Sequence, residues 1–346
     1  MKKKTNSQRT IRGRRAMLSL MLILVMTFVS AGITGCGMNA SKPLSEYWSA
    51  DSASAESLRN YVTKVTNKKD AENFIPVEDR IAVFDMDGTL TCETFYTYYD
   101  TMMFINYCLT DHPERVSDEL KAAAAEIRPG YTAGEELARN FAKAYAGMTV
   151  QELYDYAVQF GQKNTDSFNN MRYIDGFYLP MVELVKYLYD NGFTIYVVSG
   201  TERTTTRAIV ANSPISEYVS PAHVIGTEFE VKVKGNEDVP SNMDYKYADG
   251  DELDSDTSMM NYALDSRNPY PSQAYMIVAD DAEREWGRQD WEEKSSAYVE
   301  QGYVPISMKN DFAKIYPDGV TISDEQFVEP EAPAEEAEEE PLAGAA

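Results

Sequence analysis

Residues 81–90 read Ile81-Ala82-Val83-Phe84-Asp85-Met86-Asp87-Gly88-Thr89-Leu90. The first four are apolar and rich in β-branched and aromatic side chains, which predicts a short strand buried on both faces of a parallel sheet. Two acids follow this strand directly, and Gly88 would permit a tight turn after them. Because ligands bind at the carboxyl ends of parallel strands, Asp85 and Asp87 are candidate site residues.

A second strand is predicted at residues 193–198, which are again apolar and rich in β-branched and aromatic residues. Before it, apolar residues recur at helical spacing from Met181 to Leu188, and Asn191-Gly192 is a typical helix stop. A helix that leads into a parallel strand is the repeating unit of a doubly wound sheet. The sequence therefore predicts an α/β fold with a doubly wound parallel sheet as its core.

The interval between these two strands shows helix signals and lacks strand signals. Thr149 with Glu152, and Thr132 with Glu135, have the spacing of capping boxes that begin helices. A plain crossover between parallel strands needs only about a dozen residues, and this interval is much longer. We therefore expect an all-helical cap that is inserted after the first strand and lies over the strand ends.

The two ends of the chain differ in composition from the part between them. The carboxyl-terminal tract is rich in Pro, Ala and Glu and has little apolar content, which is typical of disorder. The predicted organisation is a lipoprotein signal peptide (1–35), a tether and N-terminal helix (36–72), a core (73–95 and 174–328) interrupted by the helical cap (96–173), and a disordered acidic tail (329–346).

The amino-terminal end has the pattern of an export signal, a basic stretch followed by the apolar run Met17–Val29 and by small residues. Ile33-Thr34-Gly35-Cys36 fits the bacterial lipobox, in which the cysteine thiol carries diacylglycerol. Two acyl chains hold a protein stably on a membrane. We therefore predict that Cys36 is lipidated and that the mature protein is extracytoplasmic and anchored to the cell membrane. The alternative is an ordinary signal peptide or an anchor helix, and either would also place the protein outside the cytoplasm.

The formal net charge is −24, so the protein is strongly acidic. Such a charge repels nucleic acid, so we expect no nucleic-acid partner. His112 and His223 are the only histidines, which leaves little material for a His-rich zinc site or a serine triad. The chemistry should therefore rest on carboxylates.

Two acids at a strand end suit phosphate-ester hydrolysis. One carboxylate can attack the phosphorus and form an acyl phosphate, which divides a difficult displacement into two easier steps. The other acid can protonate the leaving alkoxide and then deprotonate water. Val197-Val198-Ser199-Gly200-Thr201 closes the second strand, and a hydroxyl there beside helix N–H groups can cradle a phosphate. The alternatives are a plain Asp-x-Asp-Gly turn and a plain loop with a helix cap.

On these residues the chain resembles the haloacid dehalogenase superfamily, whose first motif is Asp-x-Asp-x-Thr at a strand end and whose second is a strand ending in Ser or Thr. The resemblance implies that Asp85 is the nucleophile and Asp87 the general acid/base. It also implies that Mg²⁺ is bound by the Asp85 side chain and the Asp87 carbonyl, and that Ser199 and Gly200 bind the phosphoryl group. The second aspartate favours a phosphatase, because dehalogenases of the superfamily generally lack it.

Glu93 lies four residues after Thr89, which is similar to the phosphoserine-phosphatase-type members of the superfamily. In those members a glutamate in this place contacts the amino group of the substrate, and their cap type matches a helical insertion at this point. The resemblance therefore implies a small phosphorylated substrate, phosphoserine-like or phosphocholine-like. The alternative is a solvated glutamate at the start of a helix.

The third and fourth motifs of the superfamily are harder to match. The fourth motif is a hydrophobic strand that ends in acids, and these acids complete the metal site. Asp280 follows a hydrophobic run of this kind. Asp256 does not follow one, but the stretch after it is similar to related exported members. The third metal ligand is therefore Asp256 or Asp280. The third motif is a lysine that neutralises the intermediate, and the candidates are Lys232, Lys234 and Lys246.

The sequence as a whole predicts a Mg²⁺-dependent phosphomonoesterase that acts on small extracellular phosphate esters through an aspartyl-phosphate intermediate. The alternative is a non-catalytic lipoprotein of the same fold that binds a ligand or a partner, since loss of the third and fourth motifs would leave the pocket but remove turnover.

Overall fold

The computed structural model describes residues 42–92, 98–128, 134–229 and 255–323, with no side chains described for residues 255–258. The described residues from Pro43 onward belong to one compact unit. Several predicted features lie outside the described residues: the signal peptide, Cys36, Glu93, the three candidate lysines and the acidic tail. In the described part of the chain, no helix is long and apolar enough to cross a membrane.

Helices account for most of the described secondary structure. In chain order they are α1 (Ala53–Thr66), α2 (Tyr99–Asn106), α3 (Asp118–Glu126), α4 (Glu135–Ala144), α5 (Val150–Gly161), α6 (Leu179–Asp190), α7 (Arg203–Ala211), α8 (Ser255–Ala263), α9 (Trp291–Glu300) and α10 (Met308–Asp311). Helix α2 continues into a π-helical turn at Tyr107–Asp111.

The strands form two parallel groups and one short antiparallel pair. They are β1 (Ile81–Phe84), β2 (Phe168–Asn169), β3 (Thr194–Glu202), β4 (Val224–Thr227), β5 (Tyr275–Val278), β6 (Val304–Ser307) and β7 (Thr321–Ile322). The order β1-β3-β4 forms one parallel sheet, β5 pairs with β6 in parallel, and β2 pairs with β7 in antiparallel orientation. The predicted α/β class, with a parallel sheet and helices, is confirmed.

The expectation that β1 is buried on both faces is wrong. Phe84 is buried, but Ile81 and Val83 on the other face are 57% and 48% exposed. Among the described strands, no ladder joins β1 to β5, so β1 is an edge strand there. A side-chain hydrogen bond from Tyr270 to Asp79 (2.6 Å) nevertheless ties the segment before β5 to the turn before β1.

Local sequence signals set most helix ends. Helix α6 buries its apolar stripe from Met181 to Leu188 and ends at Asp190. Asn191 is its C-cap, and the next residue, Gly192, adopts a φ of +79°. The predicted capping box of Thr149 and Glu152 begins α5 as expected. The box predicted from Thr132 and Glu135 is wrong, because the N-cap of α4 is Gly134.

The chain between β1 and β3 supplies helices α2 to α6, and α5 packs on the core helix α7 that follows β3. Asn212 after α7 donates a hydrogen bond of 3.4 Å to the hydroxyl of Tyr154 on α5. The predicted cap is not wholly helical, because β2 lies within its range and pairs with β7 from the far end of the chain. The range predicted for the cap, 96–173, stays a prediction.

Candidate active site

The loop after β1 is a tight turn built on the carbonyl of Met86. That carbonyl accepts hydrogen bonds from the backbone N–H groups of Thr89, Leu90 and Thr91, at 2.8–3.2 Å. Gly88 adopts a φ of +77°, a conformation that glycine takes without strain, as expected from the sequence. The turn reverses the chain directly after the two acids and holds them at the strand end.

The second predicted motif forms the carboxyl-terminal part of strand β3, which the sequence predicted it to close. Strand β3 extends to Glu202, with a register shift against β4 between Ser199 and Glu202. The side chain of Glu202 then accepts from the Thr205 N–H (2.8 Å) and caps α7. The backbone of β4 approaches β3 closely at this bulge: a Cβ added to Gly226 would stand 2.7 Å from the carbonyl oxygen of Thr201. A bulge of this kind redirects side chains at a strand end.

The structure brings the two motifs together. Phe84 pairs with Val197, so the ends of β1 and β3 are neighbours. The hydroxyl of Thr201 donates to Oδ2 of Asp87 (3.1 Å), and the N–H of Thr201 donates to Oγ of Ser199 (3.1 Å). Thr201 and Ser199 are buried, at 4% and 8% exposure, whereas Gly200 between them is exposed.

The cap contributes aromatic residues that close over Asp87. A cavity of about 10 Å³ lies beside Asp87 and is lined by Met86, Asp87, Thr91, Cys92, Tyr99, Tyr173 and Ile209. The hydroxyl of Tyr99 donates to the carbonyl of Ala157 on α5 (2.7 Å), and its ring packs edge-on against Phe160. A space of this size holds about one water molecule. Side chains of the inserted segment therefore pack directly beside Asp87.

A third carboxyl group, Asp100 on α2, reaches the site from the cap. Its side chain shares a hydrogen bond with the side chain of Thr201, and it accepts another from the hydroxyl of Thr101 (3.2 Å). Burial raises the pKa of Asp100, the hydrogen bonds from Thr101 and Thr201 oppose this, and the nearby Glu202 carboxylate raises it further. Sequence reasoning missed Asp100, because its position in the cap gives no signal of a contact with β3.

The acids predicted to complete a metal site lie in different surroundings. Asp280 follows β5, and its two oxygens accept from the Ser307 hydroxyl (2.6 Å) and the Lys309 N–H (3.0 Å). Asp281 is buried and pairs with Arg284 (2.5 Å). Asp256 lies on α8, and its side chain is not described.

Within the described residues, no group of three or more His, Cys, Asp or Glu side chains is placed to hold a metal ion. The donors that follow β1 are nevertheless oxygen atoms, the Asp85 carboxylate and the Asp87 carbonyl, which are the ligands that Mg²⁺ prefers. Oxygen donors of this kind would suit a magnesium ion, and the identity of the third ligand, Asp256 or Asp280, stays a prediction.

A second cavity, of about 510 Å³, lies elsewhere, between α1 and the segment before β5. Its lining residues are Ala53, Glu56, Ser57, Asn60, Tyr61, Lys64, Pro271, Ser272 and Gln273. None of the predicted site residues lines it.

Comparison with solved structures finds remote similarities. One is a conserved protein of unknown function from Anaerococcus prevotii DSM 20548, at 13% identity over 72% of this chain and 90% of that chain, with a TM-score of 0.42. Another is a phosphoserine phosphohydrolase-like protein from Francisella tularensis subsp. tularensis SCHU S4, at 16% identity over 63% and 83% of the two chains, with a TM-score of 0.30. A third is cytosolic 5'-nucleotidase IIIB bound to cytidine, at 12% identity over 64% and 68%, with a TM-score of 0.35. Similarity at this level says nothing about the reaction.

No curated protein matches the chain. The family model of haloacid dehalogenase-like hydrolases, in contrast, matches residues 82–266. That range begins in β1, contains Asp85, Asp87 and Ser199, and covers more than half of the 346 residues. The chain therefore belongs to the haloacid dehalogenase-like hydrolase family.

Proposed function

We propose that this hydrolase is a Mg²⁺-dependent phosphomonoesterase that acts on small phosphate esters outside the cytoplasm. The observation that carries the proposal is the hydrogen bond from Thr201 on β3 to Asp87 after β1. This bond and the parallel pairing of β1 with β3 support the proposal, because the predicted nucleophile, acid/base and phosphate-binding hydroxyl would then lie at neighbouring strand ends. Proximity of this kind is what converts separate groups into a catalytic site.

The chemistry follows from two carboxyl groups with different tasks. A carboxylate oxygen of Asp85 attacks the phosphorus, the ester P–O bond breaks, and the leaving alkoxide takes a proton from Asp87. Asp87, now a carboxylate, accepts a proton from a water molecule whose oxygen attacks the phosphorus. The bond between Asp85 and phosphorus then breaks, and inorganic phosphate leaves with Asp85 and Asp87 restored.

The remaining groups neutralise and orient the phosphoryl group. A magnesium ion held by the Asp85 side chain and the Asp87 carbonyl would supply the positive charge that phosphoryl transfer needs in so acidic a protein. Ser199 would donate its hydroxyl to a phosphoryl oxygen, with the exposed backbone of Gly200 beside it. Glu93, placed by resemblance in the position that reads a substrate amino group, favours a phosphoserine-like or phosphocholine-like substrate.

The residues inserted between β1 and β3 would limit what can react. Aromatic side chains of the inserted segment, Tyr99 and Tyr173, lie beside Asp87 and line a space of about 10 Å³ there. A site with side chains of an inserted segment on one side would favour a small molecule over a phosphorylated protein.

The place of action follows from the amino-terminal signal. The basic and apolar leader and the lipobox at Cys36 indicate export and attachment to the outer face of the cell membrane. Substrates would therefore be phosphate esters that reach the cell surface.

The second candidate function is a ligand-binding protein of the same fold without turnover. It is favoured by one observation: Asp280, the acid with the expected strand before it, uses both oxygens to hold the β6–α10 connection. If no other acid replaced it, the site would lack a third metal ligand.

Hydrolysis of 4-nitrophenyl phosphate with and without Mg²⁺ tests the proposal. Wild type should release 4-nitrophenol, EDTA should stop the reaction, and added Mg²⁺ should restore it. Asp85→Asn should leave essentially no turnover. Asp118→Asn, which changes an exposed acid paired with Lys121 in the cap, is the matched control and should keep the wild-type rate. An Asp85→Asn protein that retains most of the activity would refute the assignment.

A further inference from the structure

The space beside Asp87 is where the leaving group of a phosphate ester would lie. In the proposed reaction Asp87 protonates the ester oxygen, so the carbon that carries this oxygen must stand next to the carboxyl group. Two tyrosines of the inserted segment line that space, Tyr99 at the start of α2 and Tyr173, and they are 5% and 6% exposed. Ile209 of α7 lines it as well. A leaving group bound there would contact aromatic and aliphatic side chains.

Two hydroxyl groups that line this space already use their protons. Tyr99 donates a hydrogen bond to the carbonyl of Ala157 (2.7 Å), and Thr91 donates one to the carbonyl of Met86 (3.2 Å). A hydroxyl group carries a single proton. Neither group can therefore donate a hydrogen bond to a leaving group without giving up the bond that it makes to the backbone.

The ring of Tyr99 is held by its neighbours. It packs edge-on against Phe160, with ring centroids 5.2 Å apart and an interplanar angle of 87°, and against Tyr173, at 6.1 Å and 85°. Edge-to-face packing is a favourable geometry for aromatic pairs. The two ring contacts and the hydrogen bond to Ala157 together fix where the ring of Tyr99 stands beside Asp87.

Gly161 on α5 makes room for the Tyr99 hydroxyl. A Cβ added to Gly161 would stand 2.6 Å from that hydroxyl oxygen and 3.1 Å from Cβ of Ile174. The backbone of Gly161 does not adopt a positive φ, so an alanine there would meet a steric obstacle and no conformational one. Glycine at this position therefore sets how closely Tyr99 approaches α5.

We infer that Tyr99, placed by Gly161, is a specificity-determining residue that selects alkyl and aryl phosphates over the hydroxyl-rich esters of glycerol and sugars. A substrate hydroxyl that is buried against an apolar ring loses its hydrogen bonds to water, and this loss weakens binding. A hydrocarbon group has no such bonds to lose and gains from the contact. The inference rests on the proposed phosphatase function and names its substrate class. Phosphoserine and phosphocholine, whose leaving groups carry no further hydroxyl, belong to that class.

Two esters with the same carbon skeleton test the inference. Glycerol 3-phosphate is n-propyl phosphate with two added hydroxyl groups, and both esters release a primary alkoxide that needs the proton of Asp87. The wild-type kcat/KM for n-propyl phosphate should exceed that for glycerol 3-phosphate by about 10-fold or more. Tyr99→Ala, which admits water beside Asp87, should reduce this ratio to about threefold or less. Tyr99→Phe, which keeps the ring, should retain most of the ratio.

Gly161→Ala tests the placement of the ring with the wild-type tyrosine present. The added methyl group should displace the Tyr99 hydroxyl and lower the ratio of the two kcat/KM values. Combining Gly161→Ala with Tyr99→Phe should restore most of the ratio, because the clashing hydroxyl is gone. A ratio that Gly161→Ala leaves unchanged, or that Tyr99→Phe does not restore, would overturn the inference. This pair decides the matter even where Tyr99→Ala fails to fold.

Gly134→Ala is the matched control for Gly161→Ala. Gly134 also belongs to the inserted segment, but a Cβ added there meets no atom within 4 Å. The ratio of the two kcat/KM values should therefore stay at its wild-type value in Gly134→Ala.

Calorimetric binding of phosphonates tests the same contact without turnover. In n-butylphosphonate and 3,4-dihydroxybutylphosphonate a CH₂ group replaces the ester oxygen of the two substrates, so neither compound is hydrolysed. In the presence of Mg²⁺, wild type should bind n-butylphosphonate about 10-fold more tightly, and Tyr99→Ala should bind both compounds alike.

The two experiments separate the inference from the proposed function. Equal affinities for the two phosphonates in an active phosphatase would overturn the inference and leave the function standing. A preference for n-butylphosphonate in a protein that hydrolyses no ester would refute the function and leave Tyr99 as the residue that discriminates between ligands. A protein that binds neither phosphonate and hydrolyses neither ester would overturn both.

Discussion

The hydroxyl of Thr201 donates a hydrogen bond of 3.1 Å to Oδ2 of Asp87, although 114 residues separate the two in sequence. The intervening chain forms the cap and the helix that leads into β3. The bond therefore exists only because the parallel pairing of β1 and β3 brings their carboxyl ends together. It fixes the carboxyl group that we propose as acid/base, Asp87, beside the strand that carries Ser199, which we propose to bind the phosphoryl group.

Replacing Asp87 with Asn should separate good leaving groups from poor ones. The amide cannot protonate an alkoxide, so kcat for an alkyl phosphate should fall by about 10²-fold or more. A nitrophenolate needs no proton, so 4-nitrophenyl phosphate should lose much less. Steady-state kinetics on a series of esters with graded leaving-group pKa values measures this difference. Loss of the same factor for every ester would show that Asp87 has another role.

The third metal ligand can be identified by comparing Asp256→Asn with Asp280→Asn. Both oxygens of Asp280 already accept hydrogen bonds from Ser307 and Lys309. We therefore expect Asp256→Asn to raise the Mg²⁺ concentration needed for half-activation far more than Asp280→Asn does. Asp280→Asn should mainly lower stability, by about 1–3 kcal/mol, because hydrogen bonds to a carboxylate are lost.

Calorimetric Mg²⁺ titration and metal-free thermal unfolding of both variants separate the two effects. The reverse order of Mg²⁺ affinities would assign the ligand to Asp280. If the wild-type protein binds no Mg²⁺ at millimolar concentration and hydrolyses no phosphate ester, the non-catalytic ligand-binding function is the one that the result supports.

Gly226 on β4 should tolerate no side chain. A Cβ there would stand 2.7 Å from the Thr201 carbonyl oxygen and 2.8 Å from Cα of Arg203, both backbone atoms. Gly226→Ala should therefore lower the free energy of unfolding by about 1–3 kcal/mol and disturb the bulge that presents Thr201. Gly200→Ala, where a Cβ meets no atom within 4 Å, should change stability by less than about 0.5 kcal/mol. Denaturant unfolding measures the stability of both variants, and equal free energies of unfolding would contradict the prediction.

Glu183 on α6 should hold the amino-terminal segment of the folded part. Its carboxylate accepts from the backbone N–H groups of Ser45 (3.0 Å), Glu46 (3.2 Å) and Tyr47 (3.1 Å). Glu183→Gln should cost about 1–3 kcal/mol, because hydrogen bonds to a charged acceptor are the stronger kind. Amide exchange at these three residues should accelerate.

Asp190→Asn is the control for Glu183→Gln. It removes an exposed ion pair with Lys186 on the same helix. Such pairs contribute about 0.5 kcal/mol or less, so neither stability nor exchange at residues 45–47 should change much. If the amides of residues 45–47 stay protected from exchange in Glu183→Gln, contacts other than Glu183 hold this segment.

Membrane attachment should depend on Cys36. Replacing Cys36 with Ser in the full chain should move the protein from the membrane pellet to the soluble or secreted fraction, because two acyl chains are lost. Mass spectrometry of the mature amino terminus identifies the lipid directly. A wild-type amino terminus without lipid would contradict the prediction.

Several features of the fold were predictable because they depend on neighbouring residues. The stop at Asn191-Gly192 depends on one glycine with positive φ, and the start of α5 depends on the reciprocal hydrogen bonds of Thr149 and Glu152. The predictions that were wrong concern features that depend on residues far away in the sequence. Ile81 is of a residue type that is typical of buried strands, but its side chain is exposed. The burial of a strand residue depends on which elements pack against the strand, and the strand's own sequence does not contain that information.

The sequence by itself determined the α/β class, the turn after β1 and the residue types available for catalysis, since each is set within a few positions by side-chain shape, hydrogen-bonding capacity and glycine. Only the tertiary structure decided that Thr201 bonds to Asp87, that Asp100 reaches Thr201 from the cap, and that Asp280 is engaged by Ser307. The physical reason is that hydrogen bonds act over about 3 Å. Residues far apart in sequence are brought that close only by strand pairing, helix packing and the closure of the cap on the core.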